Sequence, residues 1–284
     1  MSIVLFEDEH VTRLDPVAVG KPAFAISCGS YRLIDLVALL GQPIRARVRK
    51  HLARIVAADF PELSSDRGES REAVLWINAR LVPSAGVLEQ LRGLVKTGQP
   101  GIVQFGGGVS AALVAPGARF GQLPDELPTA EKFAELGLPT LAADLPLLEY
   151  PHDIIRHHLA TLSSNLEHRL AGGGYRQIGE GVFAAPEAAL GSYAVTDTRR
   201  GPIVLEAGAT IGPYCYLSGP VHVGRSARVL EHAALKDGVA IGHTAKIGGE
   251  VEASIIEPYT NKQHHGFLGH TYLGSWINLG AGTC

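Results

Sequence analysis

The spacing of apolar residues changes character along the chain. From Leu205 onward an aliphatic side chain returns every six positions, at Leu205, Ile211, Leu217, Val223, Val229, Leu235, Ile241 and Ile247. Four positions after each stands a small residue: Ala209, Cys215, Val221, Ala227, Ala233, Val239, Ala245 and Val251. Glycine directly follows several of the aliphatics, at Gly212, Gly224, Gly242 and Gly248. An amphipathic helix repeats near 3.6 residues and a strand near 2, so neither produces a strict six. Six residues make one flat side of a three-sided coil, in which each aliphatic points into a common axial stack and glycine serves the turn. The period therefore predicts a parallel β-helix over residues 175–284, with an irregular first coil from Tyr175 to Arg200 capping it.

The period slips after Ile247. The next aliphatics in phase are Phe267, Leu273 and Leu279, with Thr271, Ile277 and Thr283 in the second column. Three hexads need eighteen residues, whereas Ile247 and Phe267 are twenty apart, so two residues are expected to be extruded between Val251 and Gly266. That stretch ends in Asn261, Lys262, Gln263, His264 and His265, and insertions in solenoids map to surface loops that often carry binding.

The first half reads as mixed α/β. Strands are expected at 3–6, 73–78, 101–105 and 110–115, and helices at 31–40, 44–60 and 85–96. Gly106-Gly107-Gly108 reads as a hairpin turn, since no helix with a phosphate-binding lysine follows it. The polar segment 62–72 reads as a surface loop. Residues 153–170 form an amphipathic helix with Ile155, Leu159, Leu162, Leu166 and Leu170 on its apolar stripe and its histidines facing solvent. Pro151 precedes this helix and Gly172-Gly173-Gly174 ends it. The organisation is thus an α/β domain at 1–150, a connecting helix at 151–174 and the β-helix at 175–284.

Composition narrows the function classes. At 284 residues, with 46% apolar and 19% charged side chains, the chain has material for two cores. A net charge of −3 without a basic tail speaks against a nucleic-acid or membrane-surface partner. No apolar run is long enough to cross a bilayer. Three scattered cysteines, Cys28, Cys215 and Cys284, suggest neither a disulfide framework nor a zinc site and fit a cytoplasmic location.

The segments GGEVEASII, NKQHHGFLGHTYLGSW and NLGAGT resemble the acetyltransferase half of the bifunctional N-acetylglucosamine-1-phosphate uridyltransferase/glucosamine-1-phosphate acetyltransferase family, and more closely its variant bacterial sugar nucleotidyltransferase form. The resemblance implies a left-handed parallel β-helix, a homotrimer with sites between subunits, acetyl-CoA as co-substrate and a place in UDP-N-acetylglucosamine biosynthesis. It makes His264 the catalytic base that takes the proton of the 2-amino group of glucosamine 1-phosphate, a task an imidazole can perform near pH 7. Asn278 matches an asparagine that binds substrate or polarises the acetyl carbonyl, and Asn261 falls in the same loop motif as His264. Lys262 is the candidate to hold the sugar phosphate, and Lys246 is the nearest counterpart of an upstream phosphate ligand. Phe267 stands where the family has a tyrosine. The family's coenzyme A-binding coils would lie beyond Cys284, so the chain reads as a fragment or as one that relies on a partner for that surface.

The N-terminal half is similar to the start of sugar-1-phosphate nucleotidyltransferases. Thr12-Arg13-Leu14-Asp15-Pro16 and Gly20-Lys21-Pro22 carry this likeness, and it makes Arg13 and Lys21 candidate nucleotide-phosphate ligands, with Mg²⁺ expected for the transfer. Phe6-Glu7-Asp8-Glu9 takes the place of the family's glycine-rich loop, and these carboxylates are expected to repel a triphosphate unless metal ions lie between them. No protein metal cluster is expected. The leading reading is a sugar-phosphate transferase of amino-sugar nucleotide metabolism. The alternatives are a non-catalytic trimeric scaffold that senses a ligand, and an acetyltransferase for a different sugar.

Overall fold

The computed structural model describes residues 1–63, 72–117 and 127–283. Most of the segment 62–72, read above as a surface loop, lies outside the described residues. The chain divides into two compact units, one of Met1–Ile26 with Tyr31–Asp153, the other of Ser27–Ser30 with Ile154–Cys284. Among the described residues no helix is long and apolar enough to cross a membrane.

The first unit is built on a five-stranded mixed sheet. Ser2–Phe6 runs parallel to Ile44–Arg47 on one side and to Val74–Asn78 on the other. Gly108–Val114 pairs antiparallel with Val74–Asn78, and Gly101–Phe105 closes the edge through the Gly106-Gly107 turn. The central strands SIVLF and VLWIN are buried almost throughout, as unbroken apolar runs demand when helices cover a sheet. Phe6, Trp76 and Phe133 meet in one core, with Phe6 and Phe133 centroids 5.1 Å apart. The helix Ala85–Thr97 starts where the Ser84 side chain accepts from Val87 N and stops at Gly98, whose φ of 60° suits a left-handed cap.

One expected helix proves to be composite. Residues 44–60 begin as the edge strand Ile44–Arg47, and only Ala53–Asp59 is α-helical. The alternation of Ile44 and Ala46 with Arg45 and Arg47 has period 2, and this local strand pattern overrides the helical reading of the longer window.

The second unit is a parallel β-solenoid, as its hexads predict, with the left-handed β-helix architecture that the resemblance implies. Its first face stacks Ile203–Leu205, Val221–Val223 and Val239–Ile241 in register eighteen residues apart. The second and third faces each carry five strands, including Thr210–Ile211, Arg228–Val229 and Lys246–Ile247 on the second and Tyr216–Ser218 and Ala234–Lys236 on the third. Both columns read from the sequence point inward, and every residue from Leu205 to Val251 in them is buried. Arg176–Gly179 folds back antiparallel on Val182–Ala184 and caps the first coil.

The slip after Ile247 is a contraction, which corrects the expected extrusion. Inward positions pair Leu235 with Val251, Ile241 with Ile256, Ile247 with Lys262, Val251 with Leu268 and Ile256 with Leu273. The steps from Ile247 to Val251 and from Val251 to Ile256 are therefore shorter than six, and no residue is added later. Val251 moves from the small column into the aliphatic one. Phe267, expected to point inward, is 62% exposed, and Leu268 takes the core position.

The helix Pro151–Ala171 also faces differently from its reading. Its buried stripe is Ile154, His158, Leu162, Asn165 and Leu166, while Leu159 is exposed. From Ile154 on it belongs to the second unit and covers the first face, where Leu162 and Leu166 pack on Val204 and Ala240. The polar members of the stripe are satisfied by backbone. Asn165 Nδ2 donates to Gly29 O at 2.8 Å, and His158 accepts from Gly29 N at Nδ1 and faces Gly238 O with Nε2 at 3.2 Å. The imidazole is thus held as its neutral Nε2–H form, because a proton on Nδ1 would meet another N–H.

Burial pushes His158 down to about 4. A histidine whose folded value lies below its ordinary value near 6.5 leaves the unfolded chain binding more protons, so stability present above pH 6.5 is lost as the pH falls toward 4. Thermal melts of the second unit's transition are expected to move to lower temperature across that window, and His158→Gln is expected to flatten the dependence. A pH-independent midpoint between 7 and about 4 would show that His158 is not held neutral.

Candidate functional site

Two groups of residues carry chemistry, one in each unit. In the first unit they gather at the carboxyl ends of the parallel strands, where open α/β sheets bind ligands. A shallow crevice there is lined by Phe6, Asp8, Glu9, His10, Thr129 and Phe133. Glu7 and Asp8 do not line it with open charge. Glu7 Oε1 accepts from Ala23 N and Arg49 Nη2, and its Oε2 accepts from Arg49 N and Nε at 2.8 and 3.0 Å. Asp8 Oδ1 accepts from His10 N and Arg80 Nε, and its Oδ2 from Asn78 Nδ2 and Arg80 Nη2 at 2.8 and 2.6 Å. Burial opposes ionisation of Asp8, but Arg80 and Asn78 outweigh it and hold the carboxyl below its ordinary range. The repulsive carboxylate loop expected from the sequence is therefore half neutralised from inside the fold, and only Glu9 keeps an exposed position.

Arg49 also donates to Ala18 O and Lys21 O, so one guanidinium ties Glu7 to the turn before Pro22. Arg13 is exposed on the short 3₁₀ turn Val11–Leu14, and Lys21 is half-buried beside that turn's continuation. Arg49, Asn78 and Arg80 were not singled out from the sequence. The one visible signal was the Arg45, Arg47, Arg49 alternation, which reads equally well as an edge strand guarded by charge.

Nucleotidyl transfer calls for a divalent cation, which needs carboxylate oxygens with lone pairs to spare. Each of the four carboxylate oxygens of Glu7 and Asp8 already accepts two hydrogen bonds. Among the described residues no group of three His, Cys, Asp or Glu side chains is placed to hold a metal. Glu7 and Asp8 are therefore not free to clamp Mg²⁺, and of the three consecutive carboxylates only that of Glu9 stays exposed.

In the second unit the candidates lie around one side of the solenoid. Lys246, Asn261 and Asn278 follow one another up the second face, Lys246 paired with Asn261 in the ladder and Asn261 bridged to Asn278. Exposed Arg228 precedes Lys246 in the same outward column. Asn261 Nδ2 donates to Asn278 Oδ1 at 2.8 Å, while the buried Asn261 Oδ1 accepts no hydrogen bond among the described residues. His264 follows on the exposed turn 263–266, and its ring makes no hydrogen bond to the described residues.

Lys262 departs from its expected role. It is 5% exposed, stands in the inward column, and its Nζ donates to Gly248 O, His264 O and Gly266 O at 2.8, 3.0 and 3.1 Å. An ammonium has three donors, so none is left for a sugar phosphate.

The 263–266 turn lies against Gly248 and Gly249. A Cβ on Gly248 would lie 2.2 Å from Gln263 O, and one on Gly249 would lie 3.0 Å from both His264 O and Lys262 Nζ. Gly248→Ala must displace backbone, and it is expected to cost the second unit about 1–3 kcal/mol. Urea unfolding checks this, and an unchanged midpoint would mean that the coil is not so tightly closed.

A sequence profile described as sugar nucleotidyl transferase matches residues 3–172. The chain belongs to that family. Parts of this sugar nucleotidyl transferase family member are also similar to curated bifunctional proteins. It is 35% identical over 83 residues to the bifunctional protein GlmU of Paracoccus denitrificans (strain Pd 1222), covering 28% of this chain and 18% of that protein. It is 30% identical over 108 residues to the bifunctional protein GlmU of Bordetella parapertussis (strain 12822 / ATCC BAA-587 / NCTC 13253), covering 37% of this chain and 21% of that protein. The matches thus span about a fifth of the length of these relatives. A transferase-family domain and a β-helix stand together in one chain.

Proposed function

We propose that the β-helix transfers an acetyl group from acetyl-CoA to the 2-amino group of glucosamine 1-phosphate, with His264 as general base. The observation that carries this reading is the exposed imidazole of His264, three residues on from Asn261 of the Lys246–Asn261–Asn278 ladder. The amine lone pair attacks the thioester carbonyl, and the nitrogen proton passes to the imidazole. Collapse of the tetrahedral adduct breaks the C–S bond, and the proton leaves with the coenzyme A thiol. Asn278 and Asn261 supply amides to orient the sugar or polarise the carbonyl, and Lys246 supplies a cation for the phosphate. The reading includes a homotrimer, and exposed Tyr193, Val195, Tyr214 and Tyr216 give the second unit an apolar surface for it. Acetyl transfer to glucosamine 1-phosphate, followed as thiol release, tests the proposal. Absence of release with this sugar but not with another amino sugar would move the assignment to the other acceptor.

For the first unit the family supports nucleotidyl transfer to a sugar 1-phosphate, with Arg13 and Lys21 as phosphate ligands. A second reading, ligand binding without transfer, is favoured by the saturated Glu7 and Asp8 carboxylates. Pyrophosphate release from UTP or dTTP with sugar 1-phosphates and Mg²⁺ separates them. Release establishes transfer, and calorimetric binding without release establishes sensing.

A further inference from the structure

We propose that Lys262 is a positioning residue, whose buried ammonium clamps the 263–266 turn onto Gly248 and thereby fixes the place of His264. The inference rests on the reading of His264 as the base.

Lys262 occupies an inward position of the solenoid, stacked on Ile247, where the hexads otherwise place aliphatic residues. A lysine in that column would ordinarily be costly, since an ammonium removed from water needs full hydrogen bonding. Here the shortened corner supplies it. Gly248 O, in the short step from Ile247 to Val251 of the coil before, lies 2.8 Å from Nζ, and His264 O and Gly266 O, two and four residues on in the lysine's own coil, complete the set. Three donors meet three acceptors. Two of those acceptors bracket the histidine, at its own carbonyl and at the carbonyl two residues on, so the lysine holds the backbone from which the imidazole projects.

The glycines make the clamp possible from the other side. Gly249 is at φ +70°, and a Cβ there would come within 3.0 Å of Nζ and 2.9 Å of Gly266 O. Burial pushes the Lys262 ammonium below its ordinary range, in keeping with a cation drawn into the solenoid. The arrangement explains why a residue that the sequence suggests as a phosphate ligand is turned away from solvent. It acts on the reaction through the turn.

A purely structural lysine and a positioning lysine differ in what its loss does to turnover. Lys262→Met keeps the bulk and removes all three donors, and Lys262→Gln keeps two. Both full-length variants are assayed with acetyl-CoA and glucosamine 1-phosphate beside His264→Ala, and amide exchange is followed over 263–267. Misplacement of a catalytic group by about 1 Å costs on the order of 10²-fold, so Lys262→Met is expected to lower kcat by about that factor. KM is expected to stay within about two-fold, exchange in the turn to quicken, and Lys262→Gln to recover most of kcat. Should Lys262→Met fail to fold, Lys262→Leu, which removes all three donors and matches the aliphatic residues of the inward column, carries the same comparison. Wild-type kcat in Lys262→Met with an inactive His264→Ala would overturn the positioning role and leave the base assignment standing. A raised KM with unchanged kcat would make Lys262 a binding residue and overturn it too. Equal rates in His264→Ala and wild type would remove the base and the role built on it.

Discussion

Replacing Arg80 with methionine is expected to destabilise the first unit by about 3–5 kcal/mol, because it strands a buried charge. Arg80 and Asp8 side chains are 2% and 6% exposed and are joined by two hydrogen bonds, and Arg80 Nη1 also donates to Leu148 O at 2.7 Å. Methionine fills similar volume but leaves Asp8 with Asn78 and a backbone amide as its remaining donors. Differential scanning calorimetry is expected to show the corresponding transition lowered by roughly 10 °C or more. The double variant Asp8→Asn with Arg80→Met is expected to recover part of the loss, since it removes the stranded charge as well as its partner. The pair also fixes a pH dependence. The Asp8 carboxyl is held below its ordinary value of 3.8, so its contribution is present above that value and is lost as the pH falls below it. A midpoint unchanged in Arg80→Met would show that the pair contributes nothing net to folding.

How far the sequence reveals this molecule depends on which interactions are local. The hexads from Leu205 to Ile247 are read without error because each coil repeats the same local geometry, and a side chain's direction follows from its position in the count. The contraction after Ile247 is invisible to that count. A counter of six can restore its phase by adding residues or by removing them, and only the pairing between coils tells which, with Lys262 stacked on Ile247 and Leu268 on Val251. Phe267 therefore reads as core and lies outside, while Leu268 does the reverse. Likewise, Lys262 reads as a surface cation because lysine seldom lies inside, and only three converging carbonyls make it do so. In the first unit the chemistry-bearing look of Phe6-Glu7-Asp8-Glu9 comes from composition, but its meaning is set by arginines 42 and 72 residues further on. The asparagine ladder lay closer to hand, since Asn261 and Asn278 fall on matching positions of successive coils once the register is known.

His264→Ala is expected to lower kcat for acetyl transfer by about 10²–10⁴-fold, the usual worth of a well-placed general base. The geometry favours a loss in turnover over a loss in binding. His264 is exposed and its ring makes no hydrogen bond to the described residues, so its removal leaves no buried group without a partner and no cavity in the solenoid. The melting temperature of the second unit is accordingly expected to stay within about 1–2 °C of wild type, since surface substitutions usually change stability by less than about 0.5 kcal/mol. Two neighbours provide the contrast. His265 shares the turn and its exposure, so His265→Ala is expected to leave kcat nearly unchanged and thereby to show that the effect belongs to one imidazole. Asn278→Ala removes the acceptor of the Asn261 amide and a potential partner of the acetyl carbonyl, and is expected to lower kcat with His264 intact. Equal kcat in His264→Ala and wild type, with both proteins folded, would mean that the amine is deprotonated by another group or by solvent. The imidazole would then be an exposed side chain on a turn that the protein organises for some other purpose.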